Sequence, residues 1–336
     1  MSKKIAINGF GRIGRTTLKI LIEKKDMEIV AVNDLTDVKT LAHLLKYDSS
    51  YGIYNHEVNF KENELIIDGN NIKVLSENNP ENLPWDKMEI DVVLECTGIF
   101  REFEAANKHI KAGAKKVIIS APAKSENIKT FVLGVNDNEY EPDKDQIISN
   151  ASCTTNCLTP LVQVLNGAFG IDKGLMTTVH SYTSDQKLQD LPHKDLRRAR
   201  AAALNIIPTT TGAAKTTTKI ITELDKKIDG LAFRVPTPVV SIVDFVCLLK
   251  KEVTKEEIDK VFIEASKSKK LKGILGVSNE GLVSMDYRGN PFSSIVDLPL
   301  TNVVGGNLAK VVAWYDNEWG YATRLSELCQ MVSKNL

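Results

Sequence analysis

Apolar residues in the first 150 positions form short, nearly continuous runs that alternate with segments of helical spacing. Residues 3–8 (KKIAIN) predict a strand. In the segment that follows the next turn, the spacing of Ile13, Thr17, Ile20 and Leu21 places them on one face of a predicted helix. Further runs of the first kind occupy residues 29–32, 89–95, 115–120 and 146–148. Because strands without polar alternation are buried on both faces, this half predicts a parallel sheet covered by helices, the α/β class.

The pattern changes after Cys153. Longer strand candidates, separated by turn signals and few helices, cover residues 236–250, 281–287, 293–297 and 308–315. One helix is predicted over 255–267, and a closing helix over 317–334 aligns Tyr321, Leu325, Leu328 and Val332. We therefore predict a first domain over 1–151, completed by a C-terminal helix within 317–336, and an α+β domain with a mainly antiparallel sheet over 152–316.

A glycine motif connects the first strand to the first helix. Residues 9–14 (GFGRIG) match G-x-G-x-x-G, and Asp34 follows the second strand, twenty positions after Gly14. In a Rossmann-type doubly wound sheet, such glycines let the backbone approach a pyrophosphate, and the acid binds the ribose hydroxyls. The polar positions after strand ends should converge on one crevice: residues 9–14, Asn33, Asp34, Thr97, Gly98 and Ser120. A carboxylate at Asp34 would repel a 2′-phosphate, which favours NAD over NADP.

Cys153 lies between hydroxyl residues, just after a predicted strand and at the start of an apolar helical pattern. A thiol at a helix N-terminus lies in a positive field that favours the nucleophilic thiolate. A single cysteine is more often a small buried hydrophobe, so this position alone leaves both interpretations open. His180 ends a strand and enters a polar loop, which suits a base, although a histidine in an apolar strand is often only a core residue.

Composition excludes several classes of protein. The 336 residues contain 43 acidic and 43 basic side chains, so no net field attracts nucleic acid or an acidic membrane. No run is long enough to span a bilayer, and no apolar signal region begins the chain. Five scattered cysteines suit a reducing cytoplasm, and Cys153 with Cys157 lacks the further ligands of a zinc site. We expect a cytoplasmic protein without a bound metal.

Several sequence blocks together resemble phosphorylating glyceraldehyde-3-phosphate dehydrogenases, from the first strand to the last helix. The blocks are residues 9–15 (GFGRIGR), 152–157 (SCTTNC), 180–183 (HSYT), 211–215 (TGAAK), 233–238 (FRVPTP) and 314–321 (WYDNEWGY). The departures from the usual family pattern, at residues 216–218 and 221–224, concern helix packing rather than the chemistry.

The resemblance implies a covalent mechanism. Cys153, as a thiolate paired with His180, would add to the aldehyde and form a hemithioacetal, with His180 taking the proton. Hydride transfer to NAD would leave a thioester, which inorganic phosphate attacks to give the acyl phosphate 1,3-bisphosphoglycerate. As an ion pair, the two side chains should lower the pKa of Cys153 below that of a free thiol.

The resemblance also assigns binding residues. Cofactor contacts would come from Gly9, Phe10, Gly11, Arg12, Ile13, Gly14, Asp34, Thr97, Ser120, Asn317 and Tyr321, with Asn317 orienting the nicotinamide carboxamide. The phosphate of the sugar would be held by Thr183, Asp185 and Arg234. Inorganic phosphate would be held by Ser152, Thr154, Thr211, Gly212 and Arg197. Arg198 and Arg200 would instead lie in subunit contacts or on the solvent-exposed surface. The family forms homotetramers. The loop at Leu191 and Pro192 resembles the form of this loop in the NAD-dependent members of the family.

Three alternatives compete with this interpretation. Erythrose-4-phosphate dehydrogenase shares the family, the fold and the cysteine chemistry. A Cys/His hydrolase would not need the glycine motif and Asp34. A nucleic-acid-binding protein would need a basic groove with stacking aromatics, which the neutral charge and the 6% aromatic content do not favour.

Overall fold

A computed structural model describes residues 2–336, and the chain divides into two compact units. Of the described residues, unit 1 contains 2–131, 139–151 and 322–336, and unit 2 contains 132–138 and 152–321. The chain crosses from the first unit to the second between Ala151 and Ser152, one residue before Cys153. The nucleophile candidate therefore begins unit 2.

Unit 1 is built on a nine-stranded sheet. Its strands are β1 (Lys3–Asn8), β2 (Met27–Asn33), β5 (Val58–Lys61), β6 (Glu64–Ile67), β7 (Asn70–Leu75), β8 (Val92–Glu95), β9 (Lys116–Ile119), β10 (Lys129–Thr130) and β11 (Ile147–Ser149). A separate hairpin pairs β3 (Tyr47–Asp48) with β4 (Gly52–Ile53). The helices are α1 (Arg12–Leu21), α2 (Val38–Lys46), α3 (Trp85–Met88) and α4 (Phe103–Lys111).

The strand order of this sheet is β10-β11-β9-β8-β1-β2-β7-β6-β5. Every pair from β10 to β7 is parallel, and β7-β6-β5 is an antiparallel meander. The sequence pattern predicted strands alternating with helices. It did not predict this meander, because the three strands follow one another as hairpins without intervening helices. The carboxyl ends of β1, β2 and β8 meet at one edge, where a doubly wound sheet binds its ligand.

Unit 2 is built on an eight-stranded mixed sheet. Its strands are β12 (Ile171–Ser181), β13 (Ile207–Thr210), β14 (Ile228–Val235), β15 (Ser241–Leu249), β16 (Leu275–Ser278), β17 (Ser294–Asp297), β18 (Asn302–Val304) and β19 (Leu308–Tyr315). The order is β13-β14-β12-β15-β19-β17-β16, with β18 added to β19. The β12–β14 and β16–β17 pairs are parallel and the other pairs are antiparallel. Together the two sheets confirm the predicted fold class.

The helices of unit 2 are α5 (Cys153–Phe169), α6 (Ala213–Ile220) and α7 (Lys255–Lys267). Helix α5 continues through Pro160 rather than ending there. The last helix, α8 (Trp319–Lys334), starts in unit 2 and continues in unit 1. Its residues Leu325 and Leu328 are fully buried, as the apolar spacing predicted.

The structure differs from several predicted boundaries. Residues 284–287 form a 3₁₀ helix, not part of a strand over 281–287, and β15 begins only at Ser241. Strand β8 starts at Val92, because α3 ends at Glu89 in a left-handed conformation with φ 55°. In α1 the buried face includes Leu18, whereas Ile13 and Ile20 are half-buried. Apolar composition alone did not distinguish these local turns from strands.

Candidate active site

The glycine turn of unit 1 brings backbone close to backbone. Gly9 has φ 91°, and a Cβ there would lie 2.6 Å from the Thr97 nitrogen. A Cβ on Gly14 would lie 2.2 Å from the Gly9 carbonyl oxygen, so packing requires both glycines. At Gly11, by contrast, a Cβ would meet open space. Gly11 is the N-cap of α1 and makes no side-chain capping hydrogen bond. The N-terminus of a helix suits an anion, because its backbone N–H groups and dipole point outward there.

Asp34 is fixed against this turn. Its carboxylate accepts the Phe10 N–H at 2.8 Å and the Thr36 N–H at 3.0 Å. It borders a 630 Å³ cavity at the carboxyl edge of the sheet. The cavity is lined by Asn8, Gly9, Gly11, Asn33, Asp34, Leu35, Glu77, Asn78, Asn79, Cys96, Thr97, Ile99, Phe100 and Lys108. An acid beside a glycine-walled cavity fits the ribose and pyrophosphate of a dinucleotide.

Not every expected cofactor residue lines this cavity. Gly9, Gly11, Asp34 and Thr97 do, whereas Phe10 is fully buried beneath the turn. Arg12 pairs with Asp48 at 2.9 Å. Ser120 follows β9 and donates its N–H to the Glu95 carbonyl at 2.9 Å, beside the lining residues rather than among them. Ile13 and Gly14 are part of α1.

Asn317 and Tyr321 are described within unit 2, where both are buried. The Asn317 amide oxygen accepts the Ser241 hydroxyl at 2.9 Å, and that hydroxyl accepts the Ser181 N–H at 3.1 Å. The arrangement fixes the Asn317 side chain and links it to the residue after His180. Sequence reasoning did not identify Ser241, which occupies an ordinary strand start.

The nucleophile candidate begins α5. Ser152 is the N-cap, and its hydroxyl accepts the Thr155 N–H at 3.1 Å. Ala151 reaches this cap in a left-handed conformation, with φ 57°. Cys153 is therefore the first helical residue, and its sulfur lies 3.4 Å from His180 Nε2. The two predicted catalytic side chains are within hydrogen-bond distance.

His180 is 3% exposed at the end of β12. Its Nδ1 is 2.7 Å from the Ser181 carbonyl and 2.7 Å from Arg234 Nη1. Burial, followed by the charge of Arg234, lowers the pKa of His180 to about 3. The imidazole is thus neutral at neutral pH.

This charge state corrects the expected ion pair. Burial raises the pKa of the Cys153 thiol, while Arg234 opposes the shift. We expected a pKa below that of a free thiol because of a positively charged His180. The permanent cation that acts on the sulfur is Arg234 instead, and the desolvation of the buried His180 and the half-buried Cys153 favours the neutral Cys153–His180 pair.

Arg198, not Arg197, bonds Asp185, one of the expected anion residues. Arg198 donates to Asp185, to the Thr209 hydroxyl at 2.8 Å and to the Thr210 carbonyl at 3.3 Å. Its charge contributes to the lowered pKa values of His180 and Arg234. Arg197 is exposed, and its guanidinium has no hydrogen bond or ion pair among residues 2–336. The choice between adjacent arginines depends on the irregular loop conformation, which periodicity does not predict.

The remaining expected anion residues have partners of their own. Thr183 donates its N–H to Gln186 at 3.3 Å, and the Thr211 hydroxyl accepts the Ala213 N–H at 3.2 Å. Gly212 is the N-cap of α6 and borders open space. The Thr154 hydroxyl contacts the Tyr315 hydroxyl at 2.9 Å. Asp185 binds Arg198, so its carboxylate orients a cation.

Tyr315 is a site residue that sequence reasoning did not single out. Its hydroxyl contacts the hydroxyls of Thr154 and Thr178, each at 2.9 Å. Its ring lies edge-on to His180, with centroids 6.1 Å apart. Its presence in the 314–321 block was the available signal. Within residues 2–336, no cluster of three metal-binding side chains occurs, and no helix could cross a membrane.

Comparison with known proteins covers both units. The NAD-binding domain of glyceraldehyde 3-phosphate dehydrogenases matches residues 3–103, and the C-terminal domain matches residues 152–317. Glyceraldehyde-3-phosphate dehydrogenase of Geobacillus stearothermophilus is 55% identical over 99% of both chains. The enzyme of Borreliella burgdorferi is 55% identical over 98% of this chain and 100% of its own. That of Streptomyces coelicolor is 53% identical over the whole of both chains.

These matches confirm the resemblance found in the sequence blocks, and they establish NAD as the cofactor. The chain belongs to the glyceraldehyde 3-phosphate dehydrogenase family of NAD-dependent enzymes.

Proposed function

We propose that the chain oxidises and phosphorylates glyceraldehyde 3-phosphate to 1,3-bisphosphoglycerate through a thioester on Cys153. The observation that carries the proposal is the 3.4 Å separation of Cys153 Sγ and His180 Nε2 in a chain of this family. His180 Nδ1 lies between the Ser181 carbonyl, which can only accept, and Arg234 Nη1, which can only donate. We assign the neutral tautomer with its proton on Nδ1, which bonds the Ser181 carbonyl and turns the Nε2 lone pair toward the thiol. His180 can therefore take the thiol proton as the sulfur attacks the aldehyde carbon.

The same proton is then exchanged between His180 and the former carbonyl oxygen of the aldehyde. His180 returns it to that oxygen in the hemithioacetal and removes it again when the carbon is oxidised. NAD, when bound, accepts the hydride that leaves this carbon. The thioester keeps the oxidation free energy, and inorganic phosphate attacks its carbonyl and displaces the sulfur as a thiolate, which regains the proton from His180. Cys153 and His180 thus end in their starting states.

Arg234 supports the negative charges of this cycle. It is largely buried, and Nη1 contacts His180 and the Ser181 carbonyl, while Nε has no partner among residues 2–336. A guanidinium with unused donors fits an anion, and its charge also favours the Cys153 thiolate. We assign Arg234 and Thr183 to the phosphate of the sugar.

Inorganic phosphate is assigned to Ser152, Thr154, Thr211, Gly212 and Arg198. Arg198 replaces our expected Arg197, because Arg198 bonds Asp185 and Thr209 and its charge acts on Arg234. Asp185 is assigned to holding Arg198 in place. The N-terminus of α6 at Gly212 adds backbone donors.

We further propose a homotetramer in the cytoplasm. On the unit 2 sheet, Leu175, Leu231 and Leu308 lie on one face and are 67%, 43% and 40% exposed. In the loop after β12, Leu188, Leu191 and Leu196 are 56–81% exposed as well. Exposed apolar side chains in such number suit burial against another copy of the chain. The chain also keeps five free cysteines, which suits a reducing compartment.

Formation of NADH from glyceraldehyde 3-phosphate, with and without inorganic phosphate, tests the proposal. We expect steady turnover only with phosphate, and a burst of one NADH per site without it. Turnover that ignores phosphate would reject a phosphorylating enzyme. Erythrose 4-phosphate is the comparison substrate, and the curated relatives at 53–55% identity, all named for glyceraldehyde 3-phosphate, do not favour it.

A further inference from the structure

A buried carboxylate lies at the base of the unit 1 cavity. Glu95 is the last residue of β8 and is 0% exposed. Its Oε1 accepts the Thr97 N–H at 2.8 Å and also the Thr97 hydroxyl. Its Oε2 accepts Asn8 Nδ2 at 2.6 Å and His109 Nε2 at 3.2 Å. Four donors thus surround one carboxylate, and two of the three donor residues, Asn8 and Thr97, line the cavity.

Hydrogen bonding determines the tautomer of His109. The Trp85 indole nitrogen lies 3.0 Å from His109 Nδ1, and an indole N–H can only donate. Nδ1 must therefore accept, which leaves the proton on Nε2, where it points at Glu95. Both His109 and Trp85 are 0% exposed. The pair gives Glu95 a hydrogen bond without requiring a positively charged imidazole.

The carboxylate also determines how two amides are turned. Because a carboxylate only accepts, Asn8 must direct its NH₂ group at Glu95 and its oxygen at Asn33. Asn33 Nδ2 then donates to Asn8 Oδ1 at 2.7 Å, and Asn33 Oδ1 accepts the Glu77 N–H at 2.8 Å. Reversing either amide would place donor against donor. Asn8, Asn33 and Glu77 all line the cavity, at the ends of β1, β2 and the β7 segment.

We propose that Glu95 and His109 are positioning residues for NAD: they fix the amides and the hydroxyl that form the floor of its cavity, without touching the cofactor themselves. The inference rests on the assignment of this cavity to NAD. Buried polar networks act as units, so removing one acceptor should disturb residues up to Glu77. The consequence is a loss of NAD affinity that exceeds what general destabilisation causes.

The first test compares two carboxylates in the full-length enzyme. Glu95→Gln keeps the shape but places a donor against Asn8 or His109. Asp91→Asn is the matched control: Asp91 is 7% exposed and directly precedes β8, at the opposite end of the strand, where it accepts the Lys4 N–H at 2.9 Å and Lys115 Nζ at 2.7 Å. Calorimetric titration with NAD alone, and Tm without it, are measured for both.

We expect the Kd for NAD to rise at least roughly tenfold in Glu95→Gln and to stay within about twofold in Asp91→Asn. An unchanged Kd in Glu95→Gln would overturn the inference. So would an equal rise in both variants, since that would reflect destabilisation of the sheet.

If Glu95→Gln does not fold, a pair of His109 variants tests whether this network positions the cavity residues for NAD. In His109→Gln, the amide can donate to Glu95 and accept from Trp85, whereas His109→Leu can do neither. We expect near-wild-type NAD affinity for the first and a Kd roughly tenfold higher for the second. Equal affinities would overturn the role of His109.

Asp34→Gly distinguishes a failure of this inference from a failure of the assignment of the cavity to NAD. If its NADP-to-NAD ratio rises while Glu95→Gln and His109→Leu bind NAD normally, only the positioning role fails. If all three variants bind both cofactors like the wild type, the cavity assignment fails with it.

Discussion

Arg234 Nη1 lies 2.7 Å from His180 Nδ1, and the two residues are register partners on the parallel strands β14 and β12. Both also share the Ser181 carbonyl, at 2.7 Å from His180 and 3.0 Å from Arg234. A permanent cation therefore adjoins the base whose other nitrogen faces Cys153. Burial first and this cation second lower the pKa of the imidazole, and the cation also favours the thiolate, so one residue influences both members of the catalytic pair.

The first prediction concerns the nucleophile. Cys153→Ser should lose nearly all dehydrogenase activity and still bind NAD, because serine is a far weaker nucleophile and the cofactor cavity belongs to unit 1. Activity and NAD binding are measured on the same preparation. Cys157→Ser is the control, because Cys157 is buried and burial raises the pKa of its thiol to about 12. A fully active Cys153→Ser would reject the covalent mechanism.

Arg234 should control the ionisation of Cys153. Removing its charge in Arg234→Leu should move the alkylation profile of Cys153 to higher pH, since Arg234 lowers the pKa of that thiol. Arg234→Lys, which keeps a charge, should shift it less. The rate of iodoacetamide reaction is followed from pH 5 to 10. Superimposable profiles for wild type and Arg234→Leu would mean that the guanidinium does not act on the sulfur.

Two adjacent arginines offer a matched test of the phosphate site. Arg198→Leu should raise the KM for inorganic phosphate roughly 10- to 100-fold, because a charge-assisted contact is lost. The burst of NADH should remain, since hydride transfer precedes phosphate attack. Arg197→Leu changes the neighbouring charge but removes no side-chain hydrogen bond or ion pair within residues 2–336, and its KM for phosphate should stay near the wild-type value. A reversed pattern would restore Arg197 as the ligand.

Cofactor choice should depend on Asp34. Asp34→Gly removes the carboxylate that repels a 2′-phosphate, so the ratio of kcat/KM with NADP to that with NAD should rise, mostly through KM. Asp37→Gly serves as the control for a nearby acid, because Asp37 caps α2 and does not line the cavity. An unchanged ratio in Asp34→Gly would mean that this acid does not face the ribose.

Stability should respond to pH through His56. A hydrogen bond to Asp68, with a further contribution from Glu23, raises the pKa of His56 above 6.5 in the folded chain. Its stabilising effect is therefore complete below pH 6.5 and is lost as pH rises through the folded pKa. The Tm deficit of His56→Gln should be larger at pH 6 than at pH 9. His43→Gln, at a ring beside Tyr47, is the control. Equal deficits at both pH values would contradict this ionic role.

The sequence by itself determined the features that depend on neighbouring residues. Residues 3–14 specify strand, turn and helix, because the apolar run and the glycines act locally. The same holds for α5, whose first turn is capped by Ser152 and places Cys153 at its start. Family blocks spread along the whole chain then pointed to His180 and Arg234, although not to their contact.

Tertiary structure decided what depends on residues far apart in the chain. His180 and Arg234 are 54 positions apart in the chain and meet because of the register of two strands. A single sequence does not predict that register. Arg198 rather than Arg197 points toward Asp185. The irregular conformation of the loop decides which of the two side chains does so, and no periodic pattern in the sequence predicts that conformation. The neutral state of His180 arises from burial and a neighbouring cation, and both exist only once the sheet of unit 2 has formed around them.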